Sequence, residues 1–345
     1  MRMAMKRINR SIVAVVAVSV LALAGCSSNS SDEAASSPSA SDDTTSYVTA
    51  RTMPEGMGSD AADGQFPRTV KHFQGETEIA AAPERVVVIS TGQADALLTL
   101  GVVPVGSTNG DGADMIPQYL FDAFPEKRAE LDAVKSVGSR FEPNLEAVAA
   151  LDPDLILMNS AGKDAGKLYS SLAAIAPTVA TQGTGLHWKE DMLLLADALG
   201  KREQAQTWLD EYHADAVAFG DSVEGDPTVS FLRRNGDRLR VFGVASFTGS
   251  VAEDSHLSRP ESQDFTDETS VDISNEQLDM ADGDWLFYGV QGGDDSAVTD
   301  APLWPTLEAV DAGHAVSVDD DVFYLNTGPT AARGVLDVLR EHLGK

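Results

Sequence analysis

The segment NLEAVAALDPDLILM, residues 144–158, decides how the chain folds. Asn144 stands where a helix N-cap belongs, and Leu145, Val148 and Leu151 return behind it at helical spacing. Asp152-Pro153-Asp154 then breaks the helix, because proline has no amide hydrogen to donate and restricts the residue before it. Leu155 to Met158 is a short apolar run that reads as a strand. Helix, tight turn and strand together are a piece of a parallel βαβ sheet.

The same alternation extends outward. Upstream, the β-branched run Val86 to Ile89 precedes helical periodicity over Gln93 to Leu100, then comes Val102 to Val105 and a helical stretch near Pro117 to Phe124. Downstream, Lys167 to Ala176 reads as helix and Thr178 to Ala180 as strand. From Lys189 to about Val223 no strand candidate occurs. Leu193, Ala196 and Leu199, then Ala205, Trp208, Leu209, Tyr212 and Ala216, recur at helical spacing, and Gly200 ends the first helix. The second helix is left with about 20 residues and ~30 Å. After Gly225-Asp226-Pro227, strands return at Val229 to Leu232, Leu239 to Val244, Trp285 to Tyr288 and Ala315 to Val318, and a last helix covers Thr330 to Leu343. The expectation is an α/β protein of two Rossmann-like lobes joined by a single long α-helix. The N-terminal lobe covers residues 69–185, the linking helical segment 186–224 and the C-terminal lobe 225–345.

The 345 residues are 43% hydrophobic, enough for a substantial core, yet Lys and Arg number 25 against 54 Asp and Glu. A formal charge of -29 repels polyanions, so nucleic acid is an unsuitable partner. The four basic residues Arg2, Lys6, Arg7 and Arg10 precede an apolar run from Ser11 to Ala24, long enough for a signal-peptide core and short of the ~20 residues that span a bilayer. That run ends at Leu23-Ala24-Gly25-Cys26, small residues before the one cysteine of the chain. This looks like the lipobox of a bacterial lipoprotein, with residues 1–25 removed and Cys26 acylated, a palmitate-type anchor on the extracytoplasmic face of the cell membrane. The exported chain then carries 21 basic and 54 acidic residues, a net charge of -33. Residues 26–68, rich in serine at first and in turn residues later, read as a disordered tether, with roughly 40 flexible residues reaching ~35 Å.

Three further segments resemble one family. Ala82-Pro83-Glu84-Arg85-Val86-Val87 looks like the opening of its first strand, and Val137-Gly138-Ser139-Arg140-Phe141-Glu142-Pro143-Asn144-Leu145-Glu146, running on to Ile156, is similar to its most recognisable block. Ala301-Pro302-Leu303-Trp304 with Ala309-Val310-Asp311-Ala312-Gly313 resembles a late block of the second lobe. The family is that of the helix-linked substrate-binding proteins of ABC importers, which capture ferric siderophores, cobalamin or haem. The resemblance implies a monomeric, lipid-anchored receptor, and no enzyme. Such a receptor holds an iron(III) siderophore between its lobes, with no cofactor and no protein-bound metal, and delivers it to a permease dimer with its ATPase. In the ferric hydroxamate binders, the position that Arg140 matches contacts the iron-bound oxygens. The glutamates matched by Glu146 and Glu276 form salt bridges with the two permease subunits.

Ligands of α/β lobes sit beyond the carboxyl ends of the strands. The loops there offer Thr91 to Gln93, Asn159, Trp188, Arg233, Arg234, Ser246, Phe247, Tyr288, Phe323 and Tyr324; of these, Trp188, Arg233, Phe247, Tyr288, Phe323 and Tyr324 join Arg140 as the expected ligand-binding residues. A trishydroxamate complex, neutral or cationic, suits the acidic chain better than a triscatecholate, which carries about three negative charges. Haem and cobalamin stay as alternatives. A penicillin-recognising serine enzyme using Ser160 and Lys163 is the remaining one, although its Lys-Thr-Gly and Ser-Asp-Asn partners do not follow. The six histidines occur singly, which argues against a receptor for a bare metal ion. A single linking helix should resist bending and permit only a small closure.

Overall fold

The computed structural model describes residues 49–110, 112–183 and 185–344. The signal segment, Cys26 and the first part of the tether lie outside the described residues. An antiparallel hairpin, β1 (Arg68–His72) and β2 (Gly75–Ile79), precedes the first lobe. Strands β3 (Val86–Val88), β4 (Gly106–Asn109), β5 (Lys135–Ser139), β6 (Leu155–Asn159) and β7 (Thr178–Thr181) form an all-parallel sheet in the order β5-β4-β3-β6-β7. Helices on both faces account for the unbroken apolar runs. Val86, Val88, Leu155, Leu157 and Val179 face one core, and Val87, Ile89, Ile156, Met158 and Ala180 face another.

The second sheet has the order β10-β9-β8-β11-β12, from β8 (Val229–Asn235), β9 (Arg238–Phe242), β10 (Ser270–Ile273), β11 (Trp285–Val290) and β12 (Ala315–Ser317). It is mixed, unlike the all-parallel first sheet. β8 pairs with β9, and β9 with β10, in antiparallel fashion. The cause is local: only Gly236 and Asp237 separate β8 from β9, too short a connection for a parallel crossover, and Gly236 supplies the positive φ of 55° that the turn uses.

The helix Trp188–Leu199 ends at Gly200, whose φ of 70° closes a left-handed C-cap. The helix Arg202–Gly220 then runs about 28 Å between the lobes. The lobes also share apolar packing. One continuous cluster contains Val86 and Leu97 of the first, Leu193, Leu209 and Tyr212 of the connecting helices, and Phe231, Val251 and Val335 of the second.

Two polar devices reinforce that junction. Asp95, in the helix Gln93–Thr99 of the first lobe, accepts the backbone N–H of Thr330 at 2.9 Å and of Ala331 at 3.0 Å, and the hydroxyl of Tyr119 at 3.0 Å. Its carboxylate thereby caps the last helix, Pro329–Leu343, which packs against helices of both lobes. Gly328 makes room, since a Cβ there would lie 2.5 Å from the carboxyl group.

The second device corrects the expected tether boundary at residue 68. From Thr49 onward the chain lies on the folded body, because its polar side chains find fixed partners. Thr49 Oγ1 donates to Glu253 at 2.7 Å and Arg51 pairs with Asp254 at 3.2 Å on the helix Phe247–Asp254. Gly58 exchanges two backbone hydrogen bonds with Lys71, and Asp63 accepts the amides of Arg202 and Glu203, both at 2.9 Å. Residues 49–67 therefore strap the second lobe to the β1–β2 hairpin and to the start of the linking helix. Turn residues without periodicity hid this from the sequence.

Replacing Asp95 by Ala leaves two buried amides and a phenol without their acceptor. Thermal and urea unfolding should show a loss of at least ~1–3 kcal/mol, and an unchanged unfolding midpoint would mean the cap contributes nothing.

Candidate functional site

In the first sheet the chain builds outward from β3 in one direction and then returns to add β6 and β7 on the other side, leaving a crevice beyond the carboxyl ends of β3 and β6. The second sheet does the same at β8 and β11. The two edges face across a cleft of about 510 Å³, the size of a small-molecule site.

The first-lobe wall is polar and largely neutral. Thr91, Gly92 and Gln93 follow β3, with Gly92 at a φ of 82° so that the helix can begin at once; a Cβ there would lie 3.0 Å from the Thr327 carbonyl of the second lobe. The Asn159 amide donates to Ser90 Oγ at 2.5 Å, and Gln93 Nε2 donates to Thr181 Oγ1 at 3.4 Å. Asp191 is the carboxylate on this side, and it accepts the backbone N–H groups of Gln182 and Gly183, both at 2.9 Å.

Four of the seven expected ligand residues line the cleft. Arg140 stands after β5 at the mouth, its guanidinium 4.4 Å from the centroid of the Phe141 ring. Phe141 itself is 65% exposed. Arg233, on β8, is fixed by a two-pronged pair with Asp320 at 2.7 and 2.8 Å. Tyr324 lies over Gly289, where a Cβ would come within 2.7 Å of its ring, and donates to the Phe287 carbonyl at 2.9 Å. Burial pushes its phenol well above the ordinary value. Trp188 belongs to the floor, with its indole N–H donating to Ser250 Oγ at 3.1 Å.

Three expected ligand residues do not reach the cleft. Phe247 opens the helix Phe247–Asp254 behind its Ser246 cap and packs edge-on against Trp188 at 6.0 Å, covered by Gly185. Tyr288 points to the other face of β11, where it meets Trp304 at 4.9 Å in the outer core of the second lobe. Phe323, 1% exposed, stacks on Phe287 beneath the sheet, and its neighbour Tyr324 takes the cleft side. In each case alternation or helical phase turned the ring inward, a choice that position after a strand does not reveal. Ser160 follows β6, and Lys163 is exposed on the loop beyond it.

Glu146 and Glu276 each stand in the first turn of a helical segment. Asn144 Oδ1 accepts the Ala147 amide at 3.0 Å ahead of exposed Glu146, and Ser274 with Gln277 forms a capping box around exposed Glu276.

Sequence reasoning missed Asn235, Arg238, Arg240 and Thr269 on the second-lobe wall. The Asn235-Gly236-Asp237-Arg238 turn was the available signal, since a tight hairpin there would have placed alternate residues on one face.

Against known proteins, the family model described as periplasmic binding protein matches residues 86–322. The chain is 32% identical over 298 residues to the probable siderophore-binding lipoprotein YfiY of Bacillus subtilis, spanning 81% of this chain and 88% of that protein. It is 30% identical over 306 residues to the iron(3+)-hydroxamate-binding protein FhuD of the same organism, spanning 84% and 90%. Among solved structures, SirA of Staphylococcus aureus complexed with staphyloferrin B matches with a TM-score of 0.68 at 26% identity, over 80% of this chain and 98% of that one.

Burial lifts the pKa of Asp191 from 3.8 to about 6, against the pull of its amide donors. A folded-state value above the unfolded one means that the native chain holds this proton more tightly. The stabilisation is present below the unfolded value and is lost as pH rises through about 6. Urea midpoints across that range should fall less steeply with pH in Asp191→Asn than in the parent. Equal slopes would show that the carboxyl group is solvated.

Proposed function

The chain belongs to the periplasmic binding protein family, and from that premise we propose that it is the substrate-binding component of an ABC importer, capturing an iron(III) siderophore between its lobes. The observation that carries this reading is the cleft itself, where two strand-edge crevices face each other with arginines and polar groups aimed inward and the Trp188 indole at the floor. The names of the two Bacillus subtilis relatives, one siderophore-binding and one hydroxamate-binding, support the same cargo. The protein performs no chemistry in this reading. The iron keeps its siderophore ligands, so the receptor needs only donors for the chelate's outer oxygens and apolar surface for its organic shell. The hydroxamate-binding relative favours hydroxamate groups on that chelate. Acylation at Cys26 would hold the receptor on the outer face of the cell membrane; among the described residues no helix is long and apolar enough to cross one.

Tryptophan fluorescence, with Trp188 as reporter, should be quenched by a ferric siderophore in a titration series that also contains haem and cobalamin. Arg140→Ala should weaken the preferred chelate by roughly 1.5–3 kcal/mol, the range for a hydrogen bond to a charged group. Wild-type affinity in that variant would remove Arg140 from the site, and quenching by haem or cobalamin alone would replace the siderophore.

Delivery rests on the two exposed glutamates, one on each lobe, which would meet arginines on the two permease subunits. The double reversal Glu146→Arg with Glu276→Arg should leave chelate affinity intact and abolish uptake, because each attractive docking pair becomes repulsive. Normal uptake would leave both residues as helix-start carboxylates and nothing more.

A further inference from the structure

The second-lobe wall of the cleft carries a charge arrangement that folding alone disfavours. The antiparallel register of β8 and β9 sets Arg233 directly opposite Arg240, and Asn235 opposite Arg238. Successive strand residues alternate faces, so all four share the face that lines the cleft. Like charges directly opposed on neighbouring strands destabilise a sheet.

The carboxylates nearby are already engaged. Asp320 takes the fork of Arg233. Asp272, which stands opposite Arg240 across β9 and β10, is held by the fork of Arg238 at 3.0 and 2.9 Å instead. Asp191, on the first-lobe side, is taken by two amides. Arg240 keeps its guanidinium 5.4 Å from the Phe242 ring centroid, and among the described residues its buried Nε has no hydrogen-bond partner. Burial, then Arg233 and Arg238, push its pKa down, with Asp272 and Asp320 opposing. An anion arriving at this wall would offset the like-charge repulsion and give the Arg240 guanidinium an acceptor.

Resting on the siderophore reading, we propose that the β8–β9 hairpin is an anion clamp: Arg240, flanked by Arg238 and Arg233, receives a carboxylate of a net negatively charged ferric chelate. Hydroxamate groups, where the chelate has them, face the neutral wall of Ser90, Gln93, Asn159 and Thr181. A planar guanidinium fork matches a carboxylate in two parallel hydrogen bonds. The long-range repulsion from the acidic surface is screened beyond about 8 Å at physiological salt, whereas contacts inside the cleft are screened much less. A neutral trishydroxamate would fill the space and leave Arg240 uncompensated.

The test compares four ferric chelates by tryptophan quenching: ferric dicitrate and ferric staphyloferrin B as carboxylate anions, ferrichrome as a neutral and ferrioxamine B as a cationic hydroxamate. In the parent protein an anionic chelate should bind most tightly and should lose affinity with added salt, while ferrichrome does not. Arg240→Gln should weaken the anionic chelates roughly 10- to 100-fold, the equivalent of a charged hydrogen bond, and change ferrichrome by less than about threefold. Arg240→Lys should fall between, keeping the charge without the fork. The ligand-free Arg240→Gln protein should melt at the same temperature as the parent or higher, since an opposed like charge is gone; a merely structural arginine would lower it. Tightest binding of ferrichrome, equal weakening of every chelate, or a lower melting temperature would overturn the clamp and leave the siderophore reading standing. Failure of all four chelates to bind would overturn both.

Discussion

A buried carboxylate ties the last helix of the second lobe to the first lobe. Asp95 belongs to the first lobe by sequence and to the last helix by hydrogen bonding, so the helix Pro329–Leu343 cannot move away from the helix Gln93–Thr99 without leaving charged and polar groups unpaired in a dry place. Burial raises the pKa of Asp95, and the Thr330 and Ala331 hydrogen bonds, with that of Tyr119, oppose the rise. The donors therefore offset a real desolvation cost, and they can do so only in this one geometry. The shared apolar cluster and the strap of residues 49–67 act in the same sense. A large hinge opening would expose core from both lobes at once, a physical reason for small closure beyond the stiffness of one helix.

Net charge and site charge have opposite signs in this molecule. The chain is strongly acidic, and its cleft is lined by Arg140, Arg233, Arg238 and Arg240 with Asp191 as the opposing carboxylate. The acidic surface governs solubility and distant approach, whereas recognition is decided within a few ångströms, where fork geometry and desolvation dominate. Whole-chain charge is therefore a weak guide to cargo, and the pairing of individual guanidiniums is a better one.

The two-lobed architecture was legible because parallel strands covered on both faces leave apolar runs such as Leu155 to Met158, too short for a helix and without the alternation of a half-exposed strand. The cap at Asn144 was legible for the same kind of reason, since it satisfies an amide of its own first turn. Side-chain direction was not. Tyr288 and Phe323 follow or end strands as cleft residues do, yet the register of β11 and the packing on Phe287 turn them inward. The strap was hidden because Thr49, Arg51 and Asp63 take partners 139 to 204 residues away, beyond any local pattern. Arg240 was hidden because its position depends on a pairing that only the Gly236-Asp237 turn could have suggested.

That turn has a consequence for how the protein can change over generations. Arg233, Asn235, Arg238 and Arg240 are contributed by eight consecutive residues, and none of them takes part in the Asp95 cap, the strap or the helix starts that carry Glu146 and Glu276. The polarity of one wall is thus written in a short, contiguous cassette, separable from the parts that hold the lobes together. If this wall receives the chelate as proposed, single-codon changes within the cassette would retune the accepted cargo while the scaffold and its outer faces are inherited intact.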